Sequence, residues 1–174
     1  ILANLGSVMK DCLGTDEYDA ETERAVNTVL GKFWNEEYHV LFENVNPDGT
    51  FDLDSCEGRF INPGHGLESM WFVMNYAERR KDQAIRRAAD IVKALLEFGT
   101  DREYGGIYYF MDVLGKPHLE LQWDMKLWWP HNEATLATLF ACRLTGDKYY
   151  WERFKEIDRW SWSHFKDPEY PEWF

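Results

Sequence analysis

Cysteine is scarce in this sequence, and its three cysteines are far apart. Cys12, Cys56 and Cys142 form no C-x-x-C pair. An odd, dispersed set of thiols argues against a disulfide framework and favours a reducing compartment, so we expect a cytoplasmic protein. No apolar run approaches the ~20 residues of a membrane span. The chain opens at Ile1 and closes on "EYPEWF", and we expect it to be a piece of a longer or processed protein.

Basic residues are also in short supply relative to acidic ones. Lys and Arg total 19 against 31 Asp and Glu, which gives a formal net charge of −12. Nucleic acids and anionic membranes are bound by cationic surfaces, so we expect neither as a partner. The simplest interpretation of the acid excess is solubility.

Several familiar functional signatures are missing from the sequence. It contains no Gly-rich phosphate loop and no G-x-S-x-G nucleophile elbow. The stretch "DGTFDLD" (48–54) lacks the spacing and the closing glutamate of an EF-hand loop. We therefore predict no metal site and no cofactor.

Aromatic residues, by contrast, are abundant. Nine Trp, nine Tyr and eleven Phe make up 17% of the chain. Aromatic rings fill a large core, and their flat faces also stack on the C–H groups of sugars. The 174 residues suit a single domain, in which about 70% of the surface of the unfolded chain becomes buried.

Apolar residues recur at helical spacing along most of the chain. Helices are predicted at residues 18–34, 65–80, 83–98, 132–145 and 147–165, with the remnant of another at 1–12. Turn residues interrupt this pattern twice and predict short β-hairpins at 38–54 and 105–122. The sequence therefore predicts an all-α fold of helical hairpins with β excursions between them.

A repeat of 66 residues runs through the chain. The tetrapeptides "NEEY", "DREY" and "DPEY" begin at Asn35, Asp101 and Asp167, and His65 and His131 are separated by the same step. Repeated helical hairpins cannot bury their apolar faces alone and must stack on one another. The repeat therefore predicts either an open solenoid or a closed ring.

The first candidate site is "NPGHGLES" (62–69), at the predicted start of a helix. His65 and Glu68 are separated by three residues and share one helix face. A glutamate that accepts a hydrogen bond from one ring N–H raises the basicity of the other ring nitrogen, as a general base requires. The alternative is a structural histidine in a capped helix. A metal site at H-x-x-E lacks further ligands nearby.

The second candidate site is "LWWPHNEA" (127–134). His131 and Glu133 lie in a predicted first helical turn, and Trp128 and Trp129 precede them. Adjacent tryptophans point in different directions, so one packs in the core while the other faces a site. Structural and functional interpretations of this segment remain equally open.

Arg59 and the tail "DPEYPEWF" supply further candidates. Arg59 is able to donate paired hydrogen bonds to hydroxyls or to a carboxylate, although a lone arginine is more often a surface ion-pair residue. Trp173 lies in the tail with Asp167 and Glu169, and the alternative to a functional role is that all three are corner residues.

Three blocks together resemble the N-acylglucosamine 2-epimerase family: "NPGHGLESMWF", "WWPHNEA" and "FKDPEYPEWF". The resemblance covers nearly the whole chain, and the blocks keep the family's order and spacing. It implies part of an (α/α)6 barrel and a sugar 2-epimerase that removes and returns the proton at C2 of an open-chain sugar. The related aldose–ketose isomerases and cellobiose 2-epimerases are the alternatives, and a non-catalytic binding module is the alternative of another class.

The resemblance also implies roles for individual residues. His65 matches a catalytic histidine, Glu68 the residue that orients it, and Glu133 a pocket glutamate. Arg59, Trp71, Trp129, His131 and Trp173 are further expected substrate contacts. The family's second histidine and another pocket arginine have no match here. We therefore expect either another chain that completes the barrel or a homodimer partner. We expect no cofactor, and the resemblance implies nucleotide activation only for some relatives.

Overall fold

The computed structural model describes residues 1–80, 83–170 and 172–173. Within these ranges the chain forms six α-helices joined by loops and two-residue strands. The helices are α1 (Leu2–Leu13), α2 (Asp19–Thr28), α3 (Pro63–Arg80), α4 (Ala84–Gly99), α5 (Trp128–Thr145) and α6 (Lys148–His164), and a π-helical turn, Val29–Phe33, extends α2. All of the predicted helices are present, and the prediction of an all-α chain is confirmed.

The helices pack as three consecutive pairs. α1 contacts α2, α3 contacts α4, and α5 contacts α6. The first members of the pairs also contact one another, α3 lying between α1 and α5. We call α1, α3 and α5 the inner helices. The arrangement is the stack of helical hairpins that the repeat predicts.

The core lies mainly between α3, α4 and α5. Leu67, Met70 and Val73 of α3 are fully buried. The buried residues of α5 include the small side chains Ala134, Ala137 and Ala141, which leave room for the larger side chains of the neighbouring helices. None of the helices in the described ranges is long and apolar enough to span a membrane.

The short strands lie between the helices, as predicted, but their pairing differs from the predicted hairpins. Strand β1 (Trp34–Asn35) pairs with β2 (Val40–Leu41), and β3 (Phe60–Ile61) pairs with β4 (Met111–Asp112), both antiparallel. The second pair joins segments about fifty residues apart in the chain. Strands β2 and β4, which lie in the two predicted hairpins, therefore pair with segments outside those hairpins.

Local turns, in which aspartate side chains accept backbone hydrogen bonds, explain why residues 38–54 do not form the predicted hairpin. Asp48 accepts hydrogen bonds from the backbone and hydroxyl of Thr50, and Asp52 accepts from the backbone of Asp54 and Ser55. Such local bonds compete with a strand ladder. The N-P-D-G turn forms, but no strands extend from it within the described residues.

The 66-residue repeat is visible in the structure as three equivalent corners. Antiparallel bridges join Trp34 to Leu41, Thr100 to Ile107, and Lys166 to Trp173. In each corner the side chain of Asn35, Asp101 or Asp167 accepts from the backbone N–H groups two and three residues later. One Asx device therefore shapes all three corners, and the repeat is structural.

Candidate active site

His65 lies in the first turn of inner helix α3. Asn62 caps this helix, because its Oδ1 accepts a hydrogen bond of 3.0 Å from the backbone N–H of His65. The His65 side chain is 50% exposed. Its ring centroid lies 5.2 Å from that of Trp129 at the start of α5. The imidazole is therefore accessible beside an aromatic face.

Gly64 makes this approach of α5 possible. A Cβ at Gly64 would lie 2.7 Å from Cζ3 of Trp129 and 3.0 Å from Cβ of Pro130. Any side chain there would push Trp129 away from His65. The glycine beside the histidine is therefore a packing requirement of the site.

Glu43, in the loop after β2, is the hydrogen-bond partner of His65. Its Oε2 lies 2.9 Å from Nδ1 of His65. The prediction gave this position to Glu68, and the structure corrects it. Glu43 is 22 residues from His65, and no local spacing in the sequence indicates that the two meet.

The carboxylates around His65 raise its pKa. The hydrogen bond that His65 donates to Glu43 is the largest cause of this increase, burial acts in the opposite direction, and the charges of Glu43 and Glu68 add to the increase. Glu68 thus lies near the imidazole and acts on it through its charge. Protonation of His65 is favoured relative to a free imidazole.

Trp71 and Glu133 connect the two inner helices next to this histidine. The indole Nε1–H of Trp71 donates a 2.6 Å hydrogen bond to Oε2 of Glu133. Burial and, more weakly, the charge of Glu68 raise the pKa of Glu133, while the Trp71 hydrogen bond and His65 lower it. Five predicted residues and one that the sequence did not indicate, Glu43, therefore lie together. We call these six the wall: Glu43, His65, Glu68, Trp71, Trp129 and Glu133.

His131 does not belong to this wall, in contrast to its predicted role as a substrate contact. It is 1% exposed, its Nε2 accepts from the backbone N–H of Ile107, and its Nδ1 donates to the carbonyl of Leu127. Burial lowers the pKa of His131 to about 4. Both ring nitrogens are occupied within the protein, so His131 is a neutral structural residue.

Arg59 is also a structural residue. It is 4% exposed, and its guanidinium binds Asp112 Oδ2 at 2.9 Å and the carbonyls of Leu53 and Asp54. These bonds tie the loop before β3 to strand β4. The predicted contact of Arg59 with substrate has no support in this arrangement, and neither has a surface ion pair.

The other tryptophans named as candidates lie in different surroundings in the structure. Of the adjacent pair, Trp129 packs beside His65, whereas Trp128 is 46% exposed. Trp173 packs against Trp162 and Phe165 near the end of α6, so its described contacts lie away from the wall. Among the described residues, no group of three or more His, Cys, Asp or Glu side chains is arranged to hold a metal ion.

A sequence profile of the N-acylglucosamine 2-epimerase (GlcNAc 2-epimerase) family matches residues 7–174. The chain belongs to this family. The N-acylglucosamine 2-epimerase of Rattus norvegicus is 43% identical over 137 residues, which are 78% of this chain and 32% of the rat protein. The human N-acylglucosamine 2-epimerase is 39% identical over the same length.

Solved structures show that the fold of this N-acylglucosamine 2-epimerase family member is shared more widely. A D-mannose isomerase matches 95% of the chain with a TM-score of 0.81 at 17% identity, over 44% of its own length. Cellobiose 2-epimerase from Bacillus thermoamylovorans B4167 matches 99% with a TM-score of 0.77 at 16% identity, over 42% of its length. The described helices are thus part of an (α/α)6 barrel, as predicted.

The chain spans about a third of the length of the curated N-acylglucosamine 2-epimerases that it matches.

Proposed function

We propose that this chain forms one wall of the active site of a sugar 2-epimerase that interconverts N-acylglucosamine and N-acylmannosamine. The observation that carries the proposal is the half-exposed imidazole of His65, held by a carboxylate at Nδ1 and flanked by Trp129. Two relatives that are 43% identical are named N-acylglucosamine 2-epimerase, which supports the choice of substrate.

In this proposal His65 is the general base. The proton on C2 of an open-chain sugar is acidic because the adjacent carbonyl delocalises the carbanion as an enediolate. With Nδ1 bonded to Glu43, Nε2 has the free lone pair that abstracts this proton. Return of a proton to the opposite face of C2 completes the epimerisation, and the group that supplies it lies outside the wall described above.

The neighbours of His65 have complementary roles. Trp129 offers a ring face for the C–H groups of the sugar, beside the base. Glu133 accepts only one bond from Trp71, and an ionised carboxylate has further acceptor sites for sugar hydroxyls. Glu68 adds negative charge that favours the imidazolium formed on proton abstraction.

The proposal extends to the setting of the reaction. The substrate is a small sugar, and the rest of the barrel comes from the same protein or from another chain. Neither a metal nor a cofactor is needed for proton transfer at C2, and the cell compartment that we propose is the cytoplasm. In this proposal nucleotides act only as activators, and only in some relatives.

Exchange of the C2 proton with solvent deuterium tests the proposal in the full-length enzyme. N-acetylmannosamine, mannose and cellobiose are incubated separately in D2O, and loss of the C2 proton is followed by NMR. Exchange is expected with N-acetylmannosamine, and His65→Asn is expected to reduce it by about 10²–10⁴-fold. His39→Asn is the matched control, because His39 is an exposed histidine with φ 53°, a conformation that Asn tolerates.

The outcomes separate the alternatives. Deuterium at C2 of N-acetylglucosamine supports the 2-epimerase, whereas conversion of mannose to a ketose, with the proton returned to C1, identifies an aldose–ketose isomerase. Turnover of cellobiose alone identifies a cellobiose 2-epimerase. Absence of exchange with all three sugars refutes the enzyme assignment and leaves a binding module.

A further inference from the structure

A carboxylate from outside helix α3 occupies the Nδ1 side of His65. The Glu43 side chain is 23% exposed, and its Oε2 lies 2.9 Å from Nδ1. An ionised carboxylate only accepts hydrogen bonds, so Nδ1 carries the proton and the neutral ring leaves Nε2 as the acceptor. The position of Glu43 therefore selects one tautomer of His65.

The fold holds Glu43 firmly enough for this task. Phe42, the preceding residue, is 1% exposed and packs against Phe51 with ring centroids 4.5 Å apart. The backbone N–H of Phe42 donates to the carbonyl of Phe33 at 2.9 Å, and the N–H of Glu43 donates to the carbonyl of Phe60 at 3.5 Å. These contacts and the burial of Phe42 hold the backbone that places Glu43 beside His65.

We propose that Glu43 is the positioning residue for proton transfer by His65: it holds the ring with Nε2 unprotonated and stabilises the imidazolium that forms when His65 takes the C2 proton. This inference rests on the proposed function. It gives Glu43 the role that the resemblance to the family implies for Glu68, and leaves Glu68 as a charge nearby.

The charges around His65 favour Glu43 over Glu68 in this role. The charged groups that act on or beside the imidazole are Glu43 from the loop, Glu68 from α3 and Glu133 from α5. Only Glu43 combines charge with a hydrogen bond, and it is the largest influence that raises the pKa of His65. The positive end of the α3 dipole disfavours an imidazolium at this helix start, and Glu43 offsets that effect.

The test compares Glu43→Gln with Glu68→Gln in the full-length enzyme, with C2 exchange followed as a function of pH. A base must be neutral to act, so the rate rises with pH through the pKa of His65. Loss of the Glu43 charge is expected to move this rise to lower pH and to reduce the plateau by at least about tenfold, a part of the ~10²–10⁴-fold that a general base contributes. Glu68→Gln is expected to have a smaller effect in the same direction.

Two further variants show whether position or structure is responsible. Glu37→Gln removes an exposed glutamate of the preceding turn and is expected to leave the profile unchanged. Glu43→Asp keeps the charge and is expected to restore part of the lost rate. A merely structural role for Glu43 would reduce the amount of active enzyme without moving the pH profile.

A second readout does not depend on turnover. Nitrogen-15 NMR of the histidine side chains, with His65 assigned by its loss in His65→Asn, reports the tautomer directly. The Nδ1–H tautomer is expected in the wild type, and a mixture in Glu43→Gln. A normal wild-type rate with an indifferent Glu43→Gln overturns this inference alone, whereas a wild-type enzyme that exchanges no C2 proton overturns the proposed function.

Discussion

Trp71 and Glu133 are joined by a 2.6 Å hydrogen bond that crosses from helix α3 to helix α5. The contact lies on the same wall as His65, whose charge acts on Glu133. Because Glu133 is partly buried and burial raises its pKa, the indole N–H helps to keep this carboxylate ionised. The hydrogen bond therefore orients the carboxylate of Glu133 and also favours its ionised form.

Replacement of this donor is expected to weaken sugar binding. Trp71→Phe removes the hydrogen bond while it keeps an aromatic ring, so the pKa of Glu133 rises and its carboxylate loses a fixed orientation. A hydrogen bond to a charged group contributes about 1.5–3 kcal/mol, and we expect KM for N-acetylmannosamine to increase about tenfold. Steady-state kinetics of the full-length enzyme measure this change.

Trp151→Phe is the matched control for that experiment. Trp151 is 43% exposed on α6 and stacks on Phe154, away from the wall. Its replacement is expected to leave KM unchanged. An unaltered KM in Trp71→Phe would contradict a role for Glu133 in binding.

Gly64→Ala is expected to damage both stability and activity. The new Cβ would lie 2.7 Å from the Trp129 ring, and overpacking of this kind typically costs about 1–3 kcal/mol. The displaced Trp129 no longer flanks His65, so C2 exchange falls as well. Gly31→Ala is the control, because a Cβ there meets nothing within 4 Å. Both properties are measured, stability by urea unfolding and activity by C2 exchange. If Gly64→Ala matches the wild type in both, the packing argument is wrong.

His131 is expected to make stability depend on pH. Burial lowers its pKa to about 4 in the folded protein, while an unfolded chain has the ordinary value of ~6.5. Between these values only the unfolded chain binds the proton, so the free energy of unfolding falls as the pH decreases. The contribution is at most about 3 kcal/mol, complete above pH ~6.5 and lost towards pH ~4.

Urea unfolding of the full-length protein and of its His131→Gln variant between pH 7.5 and pH 5 checks this dependence. The difference between the two proteins is expected to shrink as the pH falls, because only the wild type carries the buried imidazole. The comparison also removes the influence of His65, whose raised pKa acts in the opposite direction. A difference that does not change with pH would show that His131 is not the group responsible.

The corner at Asp101 is expected to tolerate Asn better than Ala. Asp101 accepts from the backbone N–H groups of Glu103 and Tyr104 and also binds Lys126. Asn35 makes the same pair of backbone bonds in the first corner, so Asp101→Asn keeps these two bonds and loses the ion pair with Lys126. Asp101→Ala loses the two backbone bonds as well, and unfolding in urea should show it to be less stable by a further ~1–2 kcal/mol.

The helices and the repeat were predictable because their signals are local and periodic. Apolar spacing located every helix, and the 66-residue step located three corners that share one hydrogen-bonding pattern. The identical step between His65 and His131 misled, since equal positions in the repeat have unequal surroundings. Ile107 and Trp160 enclose His131, whereas the ring of His65 remains half-exposed.

Glu43 could not be predicted as the hydrogen-bond partner of His65 from spacing in the sequence. Glu68 shares a helix face with His65, and spacing alone favours it. Glu43 reaches the same ring because strand β2 and the burial of Phe42 carry the loop there, which is a tertiary effect. The structural role of Arg59 was not predicted for the same reason, because its acceptor Asp112 is 53 residues away in the chain.

The ion pair between Arg59 and Asp112 also implies an order of folding. The helical pairs form from contacts that are close in sequence, whereas β3 and β4 meet only after a loop of about fifty residues has closed. Closing a long loop costs entropy before any contact compensates for it, so contacts of high sequence separation form slowly. We therefore expect the helices to associate first and the rim that joins Arg59 to Asp112 to assemble last.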